Sequence, residues 1–119
     1  DLRALGANFV HVSSGGVSPR QVIPVGPGYQ VHLAQAVKAA CGLPTMAVGL
    51  ITQPEQAEAV LQAGQADLVA IARAVLYNPR WGWQAAAVLG GTVQAMPPYW
   101  RCLPKEAQAA FGPVRIGMR

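Results

Sequence analysis

Apolar residues along the chain fall into short blocks separated by glycine and proline, and the blocks are of two kinds. The first kind is brief and nearly continuous: Asn8–Ser13, Thr45–Val48 after Pro44, and Leu68–Ile71. Their β-branched, aromatic and apolar content reads as strand. Gly15-Gly16 and Gly49 end the first two. The second kind is longer and has helical spacing. Gln30–Cys41 sets Leu33, Ala36, Val37 and Ala40 on one stripe and stops at Gly42. Thr52-Gln53-Pro54-Glu55 has the spacing of a capping box, Thr52 capping and Glu55 three residues later. The helix it opens turns Ala57, Val60 and Leu61 inward and stops at Gly64. A short helix over Arg73–Tyr77 follows the third strand, and Asn78-Pro79 caps another that runs to about Leu89. From Thr92 the pattern gives a Pro-rich connection, a helix over Lys105–Phe111 and a loose end. One long irregular stretch, Ser14 to Tyr29, holds Pro19, Pro24, Gly26, Pro27 and Gly28; loops of this length are usually functional or disordered.

The order is therefore strand-loop-helix, strand-helix, strand-short helix-helix, tail. Strands that read as apolar runs rather than alternations predict a parallel sheet covered by helices. Two architectures fit: a small doubly wound sheet, and a slice of a (β/α)8 barrel. The extra short helix after the third strand, with a glycine ending the strand before it, favours the barrel, where such a pair builds a phosphate site after the last two strands. A whole barrel takes about 250 residues, so a chain of 119 residues is expected to be its final third. Leu2–Gly6 reads as the last turn of a helix begun elsewhere, which also predicts a fragment.

Composition narrows the partners. Only 12% of residues are charged and 52% are apolar, against about 25% charged in an ordinary soluble domain, so much of the chain should be covered on two sides. The net charge of +4 owes much to Arg101, Lys105, Arg115 and Arg119 in the tail. No run of adjacent Lys/Arg exists, which argues against nucleic acid. The longest uncharged stretch, Trp81 to Trp100, is broken by Gly90-Gly91 and Pro97-Pro98 and does not read as a membrane span. Cys41 and Cys102 lack metal-ligand spacing and read as free thiols of a reducing compartment, with a cytoplasmic location expected.

The candidate chemistry centres on Asp67–Pro79. An apolar strand runs into Ala72-Arg73, a small residue beside a lone charge. Small residues admit a ligand close to the backbone, and an Arg can fork onto a phosphate. The competing reading of Arg73 is a structural ion pair. His11 and His32 have no carboxylate or cysteine partner at catalytic spacing and read as structural. Ser13-Ser14-Gly15 ends a strand, where barrel chemistry sits, without a nucleophile elbow around it. Trp81 and Trp83 point to different helix faces, Trp81 toward a core.

Several of these segments together resemble the old yellow enzyme family, in its bacterial, thermophilic-type branch. They are His11–Gly15, Pro27–Gln30, Ala47–Ile51, Ala66–Arg73, Leu76–Trp81 and Pro98–Arg101. The resemblance covers residues 1–104 as the last three βα units of the family's barrel, strands six to eight, and leaves 105–119 as a tail. It implies an FMN-dependent ene-reductase in which NADPH or NADH reduces the flavin and the flavin passes hydride to an electron-poor alkene such as an enone. Gly49 would offer an amide to the FMN phosphate, with Ala72 and Arg73 holding the same group; the family more often has Gly where this chain has Ala72. Ser14 would line the flavin pocket. Tyr99-Trp100-Arg101 matches a C-terminal Tyr-x-Arg by which Tyr99 and Arg101 would enter a neighbouring subunit's site in a homo-oligomer, although Pro98 stands where Gln is usual. The family's substrate ligands and proton-donating Tyr belong to earlier βα units, so no catalytic residue is expected in this chain, and the 119 residues alone are expected to be inactive. Two other readings stay open: a noncatalytic barrel remnant, and another phosphate-binding barrel such as an aldolase-like enzyme. The latter would want a Schiff-base lysine at a strand end, where neither Lys38 nor Lys105 lies.

Overall fold

The computed structural model describes residues 2–114; Arg115 and Arg119 of the basic tail lie outside the described residues. The chain packs as two compact units, the first ending at Ala74 and the second beginning at Val75. The limit expected at residue 104 concerns membership of a barrel, which this division does not address.

In the first unit three parallel strands, β1 (Val10–Val12), β2 (Thr45–Val48) and β3 (Leu68–Ala70), lie side by side in sequence order. The register pairs Val10 with Thr45, and Met46 with Leu68. Helix α1 (Val31–Cys41) joins β1 to β2, and α2 (Pro54–Gln62) joins β2 to β3. Crossovers between parallel neighbours are right-handed almost without exception. Two successive ones in sequential order therefore put both helices on one face. A sequential parallel sheet with its crossover helices on one face is compatible with part of a barrel wall. Burial agrees: Thr45 and Ala47, on the helix side of β2, are fully buried, while Phe9 and Leu68 are 50% and 45% exposed. Within the first unit, the two crossover helices α1 and α2 cover one face of the sheet.

Element bounds follow from pairing. β2 is central and spans the residues expected of it. β1 is paired on one side only and shrinks to three residues. The inward stripe of α1 is rotated from the expected one: Val31 and Ala34 are buried, Leu33 and Val37 half-buried, Ala36 and Ala40 exposed. Helix α2 buries Pro54, Ala57 and Val60. Its expected capping box is also corrected. Gln53 is the capping residue, with no side-chain cap, and Pro54 in the first turn needs no donor. The Thr52 N–H instead donates to Gln56 Oε1 at 3.1 Å. At the far end, Gly64 N–H donates to Leu61 O and Gln65 N–H to Val60 O, the paired closure of a helix stop. The same pair of bonds occurs at Gly6 and Ala7, whose N–H groups donate to Arg3 O and Leu2 O.

Helix α3 (Arg73–Tyr77) leads to the second unit, which holds α4 (Trp81–Leu89) and two 3₁₀ segments, Pro97–Tyr99 and Lys105–Phe111. Asn78 does not cap α4 directly. Its Oδ1 accepts from Arg80 N–H at 3.0 Å, a turn that delivers the chain to Arg80, the capping residue. The core of this unit is aromatic: Trp83 meets Phe111 edge-on at 5.2 Å and Tyr99 at 5.5 Å. The Arg80 guanidinium lies over both the Trp83 and Tyr99 rings, at 4.2 and 4.4 Å, a cation–π arrangement. The departure at Pro98 is accommodated, because Pro97 and Pro98 fill the first positions of a 3₁₀ turn, where no donor is required. No helix among the described residues is long and apolar enough to cross a membrane.

Candidate functional site

The carboxyl ends of β2 and β3 open onto a cleft of about 110 Å³, lined among others by Tyr29, Gln30, Gly49, Leu50, Ala72 and Arg73. Parallel pairing of adjacent strands creates this juxtaposition. Gly49 directly follows β2, and Ala72-Arg73 follow β3 and open α3, so the same end of the sheet carries both. The structure thus brings together three of the residues singled out in the sequence.

Gly49 is required by both conformation and space. Its φ is +133°, and a Cβ there would lie 3.1 Å from the Tyr29 ring and 3.2 Å from Gln30 Nε2. Leu50 follows at φ +47°, the left-handed region that a Cβ disfavours by about 1–2 kcal/mol. Such strain concentrates at sites where backbone geometry serves a ligand. Leu50 is the only non-glycine with positive φ among the described residues, so Ala72 sits on ordinary backbone and its methyl adds no strain.

Arg73 is exposed, and among the described residues its side chain has neither a hydrogen-bond nor an ion-pair partner. The ion-pair reading of Arg73 therefore finds no support. An ion pair of this unit lies at the other end of the sheet, between Lys38 Nζ and Asp67 Oδ1 at 2.8 Å. Asp67 Oδ2 also accepts from Thr45 N–H at 2.8 Å. The Lys38 hydrogen bond, and after it the bond from Thr45 N–H, hold the Asp67 carboxyl below its ordinary value of 3.8.

Ser14 is placed differently. It is exposed and meets the cleft through Gln30, whose Oε1 accepts from both Ser14 N–H and Ser14 Oγ, the latter at 3.1 Å. Gln30 Nε2 donates to Val48 O at 3.3 Å. Gln30 is 4% exposed, and sequence reasoning gave it no role of its own. Its partners lie 16 and 18 residues away, so no local spacing marks it. Tyr99 and Arg101 belong to the second unit. Tyr99 is engaged there by Trp83 and Arg80, and Arg101 is exposed. His11 and His32 are both exposed rather than buried among partners. Chemically, a strained glycine turn facing an unpaired guanidinium across a small cleft can hold an oxyanion.

A sequence profile of the NADH:flavin oxidoreductase / NADH oxidase family matches residues 7–89, which include β1 to α4 and every residue of the cleft. The chain belongs to this family. Among its relatives are proteins named NADPH dehydrogenase from Geobacillus thermodenitrificans, 47% identical over 100 residues, and from Halalkalibacterium halodurans, 45% identical over 98 residues. A third, from Listeria monocytogenes serovar 1/2a, is 42% identical over 103 residues. These matches take in 82–84% of this chain and 29% of each relative's length. As a member of this oxidoreductase family, the chain contributes a mixed α/β piece whose parallel wall is compatible with part of a barrel.

Proposed function

We propose that this chain is the phosphate-holding part of an FMN-dependent NAD(P)H oxidoreductase of ene-reductase type. In this reading β1, β2 and β3 are the sixth, seventh and eighth strands of a (β/α)8 barrel, with residues 1–104 in the barrel units and 105–119 as a tail. The single observation that carries the reading is the meeting of Gly49 and Arg73 in one cleft at the carboxyl ends of adjacent parallel strands.

The residues present fit the FMN phosphate. A Cβ at position 49 would intrude on the lining of the cleft, so its absence lets an anion approach the backbone. The N–H groups of Gly49 and Ala72 would donate to phosphate oxygens, and the Arg73 guanidinium, unpaired among the described residues, would supply the charge and a second, forked contact. When bound, FMN would supply hydride-transfer chemistry, with NADPH or NADH as reductant and a small electron-poor alkene such as an enone as acceptor. The role of these residues is to fix the far end of that group, so that its ring is held at one depth and angle in the barrel. Tyr99 and Arg101 serve a neighbouring subunit of a homo-oligomer in the cytoplasm, with the 3₁₀ turn at Pro97–Tyr99 and the Arg80 stack fixing the base of that segment.

The test is flavin retention. The full-length gene product should purify with visible flavin absorbance, and Arg73→Ala should lose most of it while keeping its fold. Undiminished flavin occupancy in Arg73→Ala would refute the assignment and leave the noncatalytic reading.

A further inference from the structure

Gln30 makes three long-range hydrogen bonds from a nearly fully buried position, and they fall where β1 and β2 have stopped pairing. The last paired residues are Val12 and Ala47. Beyond them, Ser14, two residues past the end of β1, and Val48 of β2 both bond the Gln30 carboxamide. The side chain thus replaces one rung of the ladder, with its acceptor satisfied on the β1 side and a donor spent on the Val48 carbonyl.

The bond to Val48 O has a consequence one atom further on. A trans peptide is planar, with C=O and N–H pointing in opposite directions. Holding the Val48 carbonyl toward β1 turns the Gly49 N–H toward β3, the side on which Ala72 and Arg73 lie. The next peptide is held in the same manner, since Gly28 N–H donates to Gly49 O at 2.8 Å. Both carbonyls flanking Gly49 are therefore fixed by the segment Gly28–Gln30, and the amides behind them are aimed by the same two bonds. A Cβ at position 49 would lie 3.2 Å from Gln30 Nε2, so the glycine and the carboxamide are fitted to each other.

We infer that Gln30 is a positioning residue that aims the Gly49 amide at the cofactor's phosphate, and that it thereby sets the preference for a phosphorylated flavin over a bare one. This deepens the reading of the cleft as the FMN phosphate site and rests on it.

The measurement is the pair of dissociation constants for FMN and riboflavin, which share a ring and differ in the phosphate, on the apo form of the full-length gene product. Gln30→Met keeps the bulk and removes all three bonds. It should weaken FMN about tenfold while leaving riboflavin within about twofold. A parallel loss for both ligands, or no change in either, would overturn the inference, because a merely structural side chain does not distinguish them. Should Gln30→Met fail to fold, Ser14→Ala removes only the bond from Oγ at an exposed position; a two- to threefold loss confined to FMN is expected, and an equal loss of riboflavin overturns the inference. Arg73→Ala separates the two levels. If it abolishes the FMN preference while Gln30→Met does not, only the role of Gln30 falls. If Arg73→Ala leaves the preference intact, the phosphate reading falls and takes this inference with it.

Discussion

The two ends of the same three-stranded sheet are finished in opposite ways. At the amino end, charge meets charge: Asp67 accepts from Lys38 Nζ and from Thr45 N–H, and its own N–H donates to Thr45 O at 2.9 Å. At the carboxyl end the backbone twists through positive φ at Gly49 and Leu50, and Arg73 is left without a partner among the described residues. The first end spends its polar groups on the fold. The second leaves the Arg73 guanidinium without such a use among the described residues, as the proposed phosphate site requires. In barrels, stability at the amino face and chemistry at the carboxyl face is the rule, and the contrast between these two ends is compatible with it.

The strongest way to break the comparison is to fill the space at position 49. Gly49→Val adds backbone strain and overpacking against Tyr29 and Gln30, which together cost about 2–4 kcal/mol. A fall of that size in the urea-unfolding free energy, with loss of bound flavin, is expected. A variant as stable as the parent would show that the turn is not strained.

One group spoils the tidiness of the amino end. Thr45 Oγ1 is buried and has no hydrogen-bond partner among the described residues. Thr45→Val removes the orphan hydroxyl at constant shape and should stabilise the fold by about 1 kcal/mol, read from the same unfolding curves. A destabilised variant would mean that the hydroxyl is satisfied.

The third test uses acid. Because the Asp67 carboxyl is held below 3.8 in the folded state, first by Lys38 and then by the Thr45 amide, it contributes stability above that pH. The contribution is lost as pH falls from about 4 through the lowered value. Asp67→Asn should therefore lower the unfolding midpoint at pH 7, and the gap between parent and variant should close in that acid window. A gap that persists once the carboxylate is protonated would indicate a shape effect instead. Flavin retention at neutral pH should be unaffected, which separates the two ends.

Much of this division could be read from the chain before its structure was in hand. Pro44 and Gly49 bracket β2, and strand order alone implies that residues following successive parallel strands share one end, which is why Gly49 and Arg73 could be paired. The face of α1 was harder, because alanines on several of its sides give the hydrophobic pattern little contrast. Thr52 had the spacing of a cap, but Pro54 in the first turn moved the capping position to Gln53. Gln30 escaped for a different reason: it stood in the segment Pro27–Gln30, but its three bonds are all long-range and local spacing does not give them.

The central claim is that the cleft between Gly49 and Arg73 holds the phosphate of FMN. Its most direct test is the ratio of riboflavin to FMN dissociation constants in the parent and in Arg73→Ala. Removing a charge-assisted contact should cost FMN about 1.5–3 kcal/mol, roughly 10- to 150-fold in affinity, with riboflavin affinity and thermal midpoint unchanged. An equal ratio in parent and variant would contradict the account.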